Sequence, residues 1–320
     1  MSEDNPLASG DTGSEPGEDL VVQVHLPTAQ SHSSGTSDEF PPRINVYENI
    51  PFAGGDGDYS ILSVLFGPHS IGEGLFSFLT MKDSNKLRVQ CVECRDAIMA
   101  FEWMDYISRI TGSVQAWRAA FPLARMVNVS GRYNITDADF VHIRGDLQRV
   151  RLHTVNIGRC RNLRITDAAF VHLRGIHTLD ISDCKQVTIT DAAFVHLRGI
   201  HTLSMQGCNQ ATITDAAFPY LRGIHSLFMY GCNQLTITDA AFAYLSGIRI
   251  LNMSYCNQVT ITNHAFFHLA DIHTLIMNHC NQATVTGAAF AQLHGIRVLR
   301  TDECSLAVRA AAALVLATPP

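Results

Sequence analysis

Seven cysteines recur at a fixed step of 24 residues and are the first candidates for chemistry: Cys160, Cys184, Cys208, Cys232, Cys256, Cys280 and Cys304. Thiols bind metals and form disulfides, but residues repeated in register would lie in one column at a strand spacing of ~4.8 Å. No set of four ligands is singled out in such a column, which disfavours zinc. We therefore predict a reduced structural ladder of small buried thiols that act as weak S–H donors, with a metal column as the alternative.

Histidines repeat in the same way, at His177, His201, His225 and His273. Catalysis requires a unique arrangement of groups, so a histidine copied in successive units is poorly suited to be a general base. The sequence favours a framework role. Metal binding or pH sensing is the alternative, because stacked neutral rings share ligands but repel one another once protonated.

The remaining two cysteines, Cys91 and Cys94, have the spacing of half a zinc or redox site. With no second pair nearby and no strand before them, we predict two positions three residues apart on a helix, and keep zinc or thiol chemistry as the alternative. The sequence also contains no G-x-S-x-G motif, P-loop or metal-hydrolase motif. We expect neither enzyme activity nor a cofactor.

The elements that would position these columns are a short strand, a turn and a short helix in each 24-residue unit. Leu203 and Met205 alternate as in a strand with one buried face. Thr190 has the position of a helix N-cap, Asp191 lies in the first turn, and Gly199 stands where a left-handed cap ends the helix. A unit this small cannot bury its own apolar face, so the units must stack as a solenoid.

The spacing Ile200-x-x-Leu203-x-Met205-x-x-Cys208, followed in each unit by Ile-Thr-Asp and a short helix, resembles the cysteine-containing subtype of leucine-rich repeats. The resemblance covers most of the chain after residue 126. It implies an α/β solenoid, a curved leucine-rich-repeat array with short parallel strands and short helices. Apolar residues at spacings of three and four before the array predict a small all-α domain there.

The predicted boundaries follow changes in composition. We expect a disordered acidic tail at 1–44, a mixed loop segment at 45–65, a helical domain at 66–104, a packed connector at 105–125, the repeat array at 126–304 and a C-terminal helical cap at 305–320. A six-residue insertion, 146–151, interrupts the period near the start of the array.

The formal net charge of the 320-residue chain is −6, and no stretch of its sequence is rich in basic residues. We therefore expect no nucleic-acid and no membrane partner. No secretory signal or apolar run of about 20 residues is present in the sequence, so we expect an intracellular protein, cytoplasmic with the nucleus as the alternative.

The segment 66–104 resembles an F-box. The similarity rests on Pro68, the helix Leu75-Phe-Ser-Phe-Leu79, the Lys82-Asp83 turn and the following helix with Leu87, Cys91 and Cys94. The resemblance implies contact with a Skp-family adaptor of a cullin complex through Pro68, Ile71, Leu75, Phe78, Leu79 and Leu87.

While the framework is nearly copied from unit to unit, the strand positions that point away from the core differ sharply. Aromatic and large apolar groups among polar neighbours are typical of interface anchors. We predict that a protein target binds these concave positions: Asp180, Ser204, Gln206, Phe228, Tyr230, Asn252, Ser254, Tyr255, Ile276, Asn278 and Arg300. The alternative is an idle surface that varies without selection.

Together the two resemblances imply a substrate-recognition subunit of a cullin-type ubiquitin ligase, in which partner subunits carry out ubiquitin transfer. The rival hypothesis is a stand-alone leucine-rich-repeat binding scaffold. Gly72, Gly74 and the absence of Leu before Pro68 favour that rival.

Overall fold

A computed structural model of the chain describes residues 79–88, 92–105, 107–145, 151–161, 163–293 and 295–317. The predicted acidic tail, the loop segment, Pro68, Ile71, Leu75, Phe78, Cys91 and most of the 146–151 insertion lie outside the described residues. No helix among the described residues is long and apolar enough to cross a membrane.

Eight strands of three residues form one parallel sheet in which every strand pairs with its neighbours in sequence. The strands are Met126–Asn128, Thr154–Asn156, Thr178–Asp180, Thr202–Ser204, Ser226–Phe228, Ile250–Asn252, Thr274–Ile276 and Val298–Arg300. Equivalent residues pair, so Leu179 lies opposite Leu203 and Leu203 opposite Leu227. This order and register confirm the predicted leucine-rich-repeat solenoid.

Short helices follow the strands on the other side of the core. The α-helices span Met81–Leu87, Val92–Ala100, Val114–Ala120, Asp137–Arg144, Asp167–Phe170, Asp191–Phe194, Asp239–Phe242 and Leu306–Ala317. The 3₁₀ helices span Val171–Leu173, Val195–Leu197, Asp215–Leu221, Asn263–Leu269 and Gly287–Gln292. The repeat helices are thus partly 3₁₀ rather than α. A turn of three or four residues suffices here because packing, not helix propensity, holds it.

A continuous core runs between the sheet and the helices. Phe194, Phe218, Phe242 and Phe266 are completely buried, as are the strand leucines and methionines that face them. The last helix closes one end of this core with Val308 and Ala312. A solenoid requires such caps because its terminal units have no neighbour to cover them.

The cysteine ladder follows the sequence prediction. The seven cysteines of the array are free and buried. Each thiol of the array donates to a carbonyl of the preceding repeat, as Cys208 Sγ does to the Ile181 oxygen at 3.1 Å. Burial raises the pKa of Cys208 and that of Cys256 to about 12. The predicted column of buried thiols that donate to backbone carbonyls is therefore confirmed.

A second ladder, of aspartates and threonines, was not predicted. The Asp191 carboxylate accepts from both the backbone N–H and the hydroxyl of Thr214 in the next repeat, each at 2.7 Å. The Thr214 hydroxyl in turn accepts from the Ala216 N–H and caps its helix. Asp137, Asp167, Asp215 and Asp239 make equivalent bonds to the following repeat. Asp191 lies in the first turn of its helix, as predicted, and in addition links two repeats.

The connector between the N-terminal helices and the array packs against both. The Trp103 ring lies 5.6 Å from that of Phe121, and its Nε1–H donates to the Ile98 carbonyl at 2.9 Å. The buried Arg118 guanidinium donates to backbone carbonyls, among them that of Ala124 at 2.8 Å and that of His142 at 3.0 Å. Burial lowers the pKa of Arg118 to about 10. The last-turn carbonyls of helix Asp137–Arg144 thereby gain a donor.

Candidate functional site on the concave face

Strand register brings the predicted target-binding residues into adjacent rows. The third residues of successive strands, including Ser204, Phe228, Asn252 and Ile276, pair side by side on the face opposite the helices. Hydrogen bonding continues beyond the strands, because Gly207 N donates to the Tyr230 oxygen at 2.7 Å. The ladder thus holds the positions that follow each strand as firmly as the strands themselves.

Three rings from successive repeats form an aromatic cluster, defined here as Tyr230, Tyr255 and His279. The rings of Tyr230 and Tyr255 lie 4.9 Å apart, and those of Tyr255 and His279 stack at 4.2 Å. Tyr230 is 40% exposed and Tyr255 is 39% exposed. The repeats therefore present neighbouring aromatic side chains to solvent.

The backbone at this cluster is strained. Tyr255 and His279 have φ values of 59° and 58°, in the left-handed region, whereas the same turn in two earlier repeats is made by Gly207 and Gly231. A non-glycine residue in this conformation costs roughly 1–2 kcal/mol. Side chains kept at such a cost are candidates for function.

Toward the other end of the sheet, charge replaces aromaticity at the same turn. Asp183, also at positive φ, lies 3.7 Å from Arg159 and 3.7 Å from Lys185, with Arg161 at 4.0 Å. All four side chains are partly or largely solvent-accessible, so these ion pairs contribute little stability. The concave face therefore has a charged part and an aromatic part.

Several polar members of the predicted site support the backbone. Asn252 Oδ1 accepts from the Ser254 N–H, Ser254 Oγ accepts from the Asn278 N–H, and Asn278 Oδ1 accepts from the Asp302 N–H. Ser254 is buried at 4% exposure, which corrects its assignment as an exposed contact residue. Phe228 and Ile276 are half-buried rather than exposed, because neighbouring strands cover part of each side chain.

Two of the remaining predicted target-binding residues form local hydrogen bonds, and a third is exposed. Gln206 donates to the Ser204 hydroxyl at 3.1 Å, Asp180 accepts from the Ser182 N–H at 2.8 Å, and Arg300 is exposed. Of the predicted adaptor residues, Leu79 is buried, and Leu87, predicted to belong to the following helix, is the half-buried last residue of helix Met81–Leu87. Among the residues that the structure describes, no group of three or more His, Cys, Asp or Glu side chains is arranged to hold a metal ion.

The histidine column lies along the edge where each strand begins. The rings of His153, His177, His201 and His225 stack at centroid distances of 4.3–4.5 Å. Arg249 occupies the next position of the column, so His273 is separated from the stack. His153, which the sequence analysis left out, is its first member.

We expect acidification to destabilise the array through this column. Burial first, and then neighbouring cationic groups, lower the pKa of His153, His177 and His225 in the folded chain. A lowered pKa means that the unfolded chain takes up protons first, so this stability is complete above about pH 6.5 and is lost as the pH falls below it. Thermal unfolding of the wild type should therefore lose more stability between about pH 7.5 and about pH 5.5 than unfolding of His177→Asn with His225→Asn.

The exposed His268, outside the column, provides the matched control for that experiment. His268→Asn should keep the pH dependence of the wild type. Identical pH dependence in the column variant and the wild type would contradict the assignment.

Although no stretch of the sequence is rich in basic residues, the fold brings some distant arginines together. Arg174, Arg198 and Arg222 are 24 residues apart in sequence, but the equivalence of successive repeats brings them to one edge of the solenoid. Stacking at strand spacing turns a dispersed sequence pattern into a continuous row.

No protein-family model and no curated protein matches the chain. Among solved structures, the chain is similar to the TLR13–ssRNA13 complex at 19% identity and a TM-score of 0.49, covering 60% of this chain and 26% of that one. It is also similar to the Rad7 and Elc1 complex in yeast, at 16% identity and a TM-score of 0.44, covering 59% of this chain and 52% of that one. Human 5T4, a trophoblast glycoprotein, is similar at 19% identity and a TM-score of 0.47, covering 57% of this chain and 72% of that one.

The chain thus spans about a quarter of the length of the matched chain in the TLR13 complex and about half of that in the Rad7 and Elc1 complex. These similarities are too distant to bear on function, and the fold assignment rests on the 24-residue period and the sheet. Eight parallel strands in sequence order, each followed by a turn or short helix over a shared core, make the described chain a leucine-rich-repeat solenoid.

Proposed function

We propose that the chain is a recognition scaffold that binds a protein target on its concave face. The aromatic cluster carries this proposal, because three rings of successive repeats lie side by side, and two of them, those of Tyr255 and His279, belong to residues in the left-handed conformation. Large aromatic side chains anchor protein interfaces, where they bury much area at low entropic cost. An idle surface gives no reason to retain them there.

A paired substitution tests the proposal. Tyr230→Ala with Tyr255→Gly removes two exposed rings and relaxes one strained backbone position, so we expect unfolding free energy within about 1 kcal/mol of the wild type. Affinity for the target should fall at least about tenfold, as for a lost interface anchor. The target is first captured from cells by cross-linking to the tagged full chain and identified by mass spectrometry, and its affinity is then measured with purified components.

Phe267→Ala is the matched control, since Phe267 is a 50% exposed aromatic residue on the helical side. It should leave target affinity unchanged. Equal loss in the two variants, or full binding by the paired variant, would refute the concave-face assignment.

The finer proposal is a subunit of a cullin-type ubiquitin ligase. It rests on the F-box resemblance of residues 66–104, from which the structure departs in that Lys82 and Asp83, predicted as a turn, lie inside helix Met81–Leu87. In this proposal a Skp-family adaptor contacts Pro68, Ile71, Leu75, Phe78, Leu79 and Leu87, while partner subunits transfer ubiquitin to the bound target.

Leu75→Asp with Phe78→Asp should abolish co-purification with a Skp-family adaptor, since a buried unpaired carboxylate at an interface is costly. The aromatic-cluster variant should retain the adaptor and lose the target. If the wild-type chain does not capture the adaptor at micromolar concentrations, a stand-alone binding scaffold becomes the better account.

A further inference from the structure

One edge of the solenoid, where each helix leads into the next strand, carries exposed arginines in successive repeats. Arg174, Arg198 and Arg222 occupy equivalent positions, and Arg249 follows in the next repeat at the position of the histidine column. We call this row and the neighbouring histidines the basic edge: Arg174, Arg198, Arg222, Arg249, His177, His201 and His225.

Rings of the following repeat hold the guanidinium groups in place. Arg174 Nε donates to His196 Nδ1 at 3.1 Å. The guanidinium carbons of Arg198 and Arg222 lie 5.1 Å and 5.6 Å from the ring centroids of Tyr220 and Tyr244. Contacts with an aromatic face orient a guanidinium without neutralising its charge. The three arginines are therefore positioned and still cationic.

Carboxylates are missing from this edge. Within the described part of the chain, none of the four arginines belongs to an ion pair. The turns at 173–178, 197–202, 221–226 and 245–250 contain no Asp or Glu, whereas the equivalent stretch of the preceding repeat contains Asp146 and that of the following repeat contains Asp271. The nearest repeated carboxylates, such as Asp191, accept from threonines at the opposite ends of the helices.

The net charge of the chain does not oppose an anionic partner here. Eight of its 29 acidic residues lie in the first 42 positions, which contain none of its 23 lysines and arginines. The rest of the sequence thus has 21 acidic residues against 23 lysines and arginines. An unneutralised row on a near-neutral body attracts anions locally.

We propose that the basic edge binds the sugar–phosphate backbone of a single-stranded nucleic acid. Four arginines in successive repeats span three strand spacings, ~14 Å, a length that a few nucleotides cover. Guanidinium forks match the geometry of phosphate oxygens. A single row fits one strand rather than the two backbones of a duplex.

Fluorescence anisotropy of the full chain with a labelled oligothymidylate of about 15 nucleotides tests the proposal, with salt varied between about 50 mM and about 200 mM. Arg198→Gln with Arg222→Gln should weaken binding at least about tenfold at the lowest salt. It should also reduce the slope of log affinity against log salt by about 1.4, because each lost phosphate contact on a single strand removes about 0.7.

Two further variants keep the test independent of folding defects. Arg198→Lys with Arg222→Lys retains the charge and should retain the salt slope. Arg249→Gln alters an exposed side chain and should reduce the slope by about 0.7.

Arg95→Gln with Arg309→Gln is the control, since it removes two exposed positive charges away from the edge. It should bind the oligonucleotide like the wild type, and so should Tyr230→Ala with Tyr255→Gly, which separates this proposal from target binding. Equal weakening in the charge control, or no binding by the wild type at about 50 mM salt, would overturn the proposal. Competition by polyglutamate as strong as that of unlabelled oligonucleotide would assign the edge to an acidic protein segment instead.

Discussion

Replacing Phe266 with alanine should lower the free energy of unfolding by about 3–5 kcal/mol. Its ring is completely buried between repeats and meets that of Phe290 edge-on at 6.1 Å. The cost combines the lost apolar transfer of the ring with a cavity that neighbouring repeats cannot close. Chemical denaturation followed by circular dichroism measures the change.

Phe267 provides the internal control, since it is the next residue, in the same 3₁₀ helix, and is 50% exposed. Phe267→Ala should change stability by less than about 0.5 kcal/mol. The two variants remove the same atoms and differ in burial. Similar losses would mean that the helix does not present these faces to core and solvent as described.

Replacing Asp191 with alanine should cost about 2–3 kcal/mol, although the residue lies on the surface side of the core. The substitution removes two charge-assisted hydrogen bonds and leaves the half-buried Thr214 N–H without its acceptor. Because the carboxylate links two repeats, we expect the loss in the cooperative unfolding of the array rather than in local fraying. Urea denaturation checks the magnitude.

The chain itself supplies the conservative variant. At the last position of the ladder, Asn263 accepts from the Thr286 N–H at 2.9 Å and donates its amide to the Thr286 hydroxyl at 2.9 Å. Asp191→Asn should therefore cost less than about 1 kcal/mol, because the same two partners remain satisfied without a charge. Equal destabilisation by Asn and Ala would contradict the hydrogen-bond account.

The sequence predicted the core because the alternation of apolar residues and the helix ends can be recognised within one unit. Leu203 and Met205 alternate, and Gly199 marks the helix end, where its φ of 80° requires glycine. The aspartate ladder was missed because it relates Asp191 to a threonine 23 residues later. A polar residue copied in every unit looks like a solvated surface when units are considered singly.

The candidate site could be predicted only in part, because it too depends on contacts between repeats. Tyr230 and Tyr255 were identified as individual residues of the concave face, but His279 was left out of the predicted set, although it stacks on Tyr255. When the repeats are aligned, Tyr255 and His279 fall at the position of Gly207 and Gly231. Glycine there indicates a left-handed backbone, which Tyr255 and His279 must also adopt. The basic edge was missed although Arg174, Arg198 and Arg222 recur at the same 24-residue step as the cysteines.

Because adjacent repeats use equivalent hydrogen bonds, the array is modular in length. Removing 191–214 would place Asp215 directly after Thr190, where it would take over the role of Asp191 toward the next threonine. Such an excision would shorten the sheet by one strand and bring the aromatic cluster nearer the N-terminal helices by one strand spacing, ~4.8 Å. Adding or deleting a repeat thus changes the length of the array in steps of one strand spacing. Point substitutions, in contrast, change only which side chains a repeat presents to solvent.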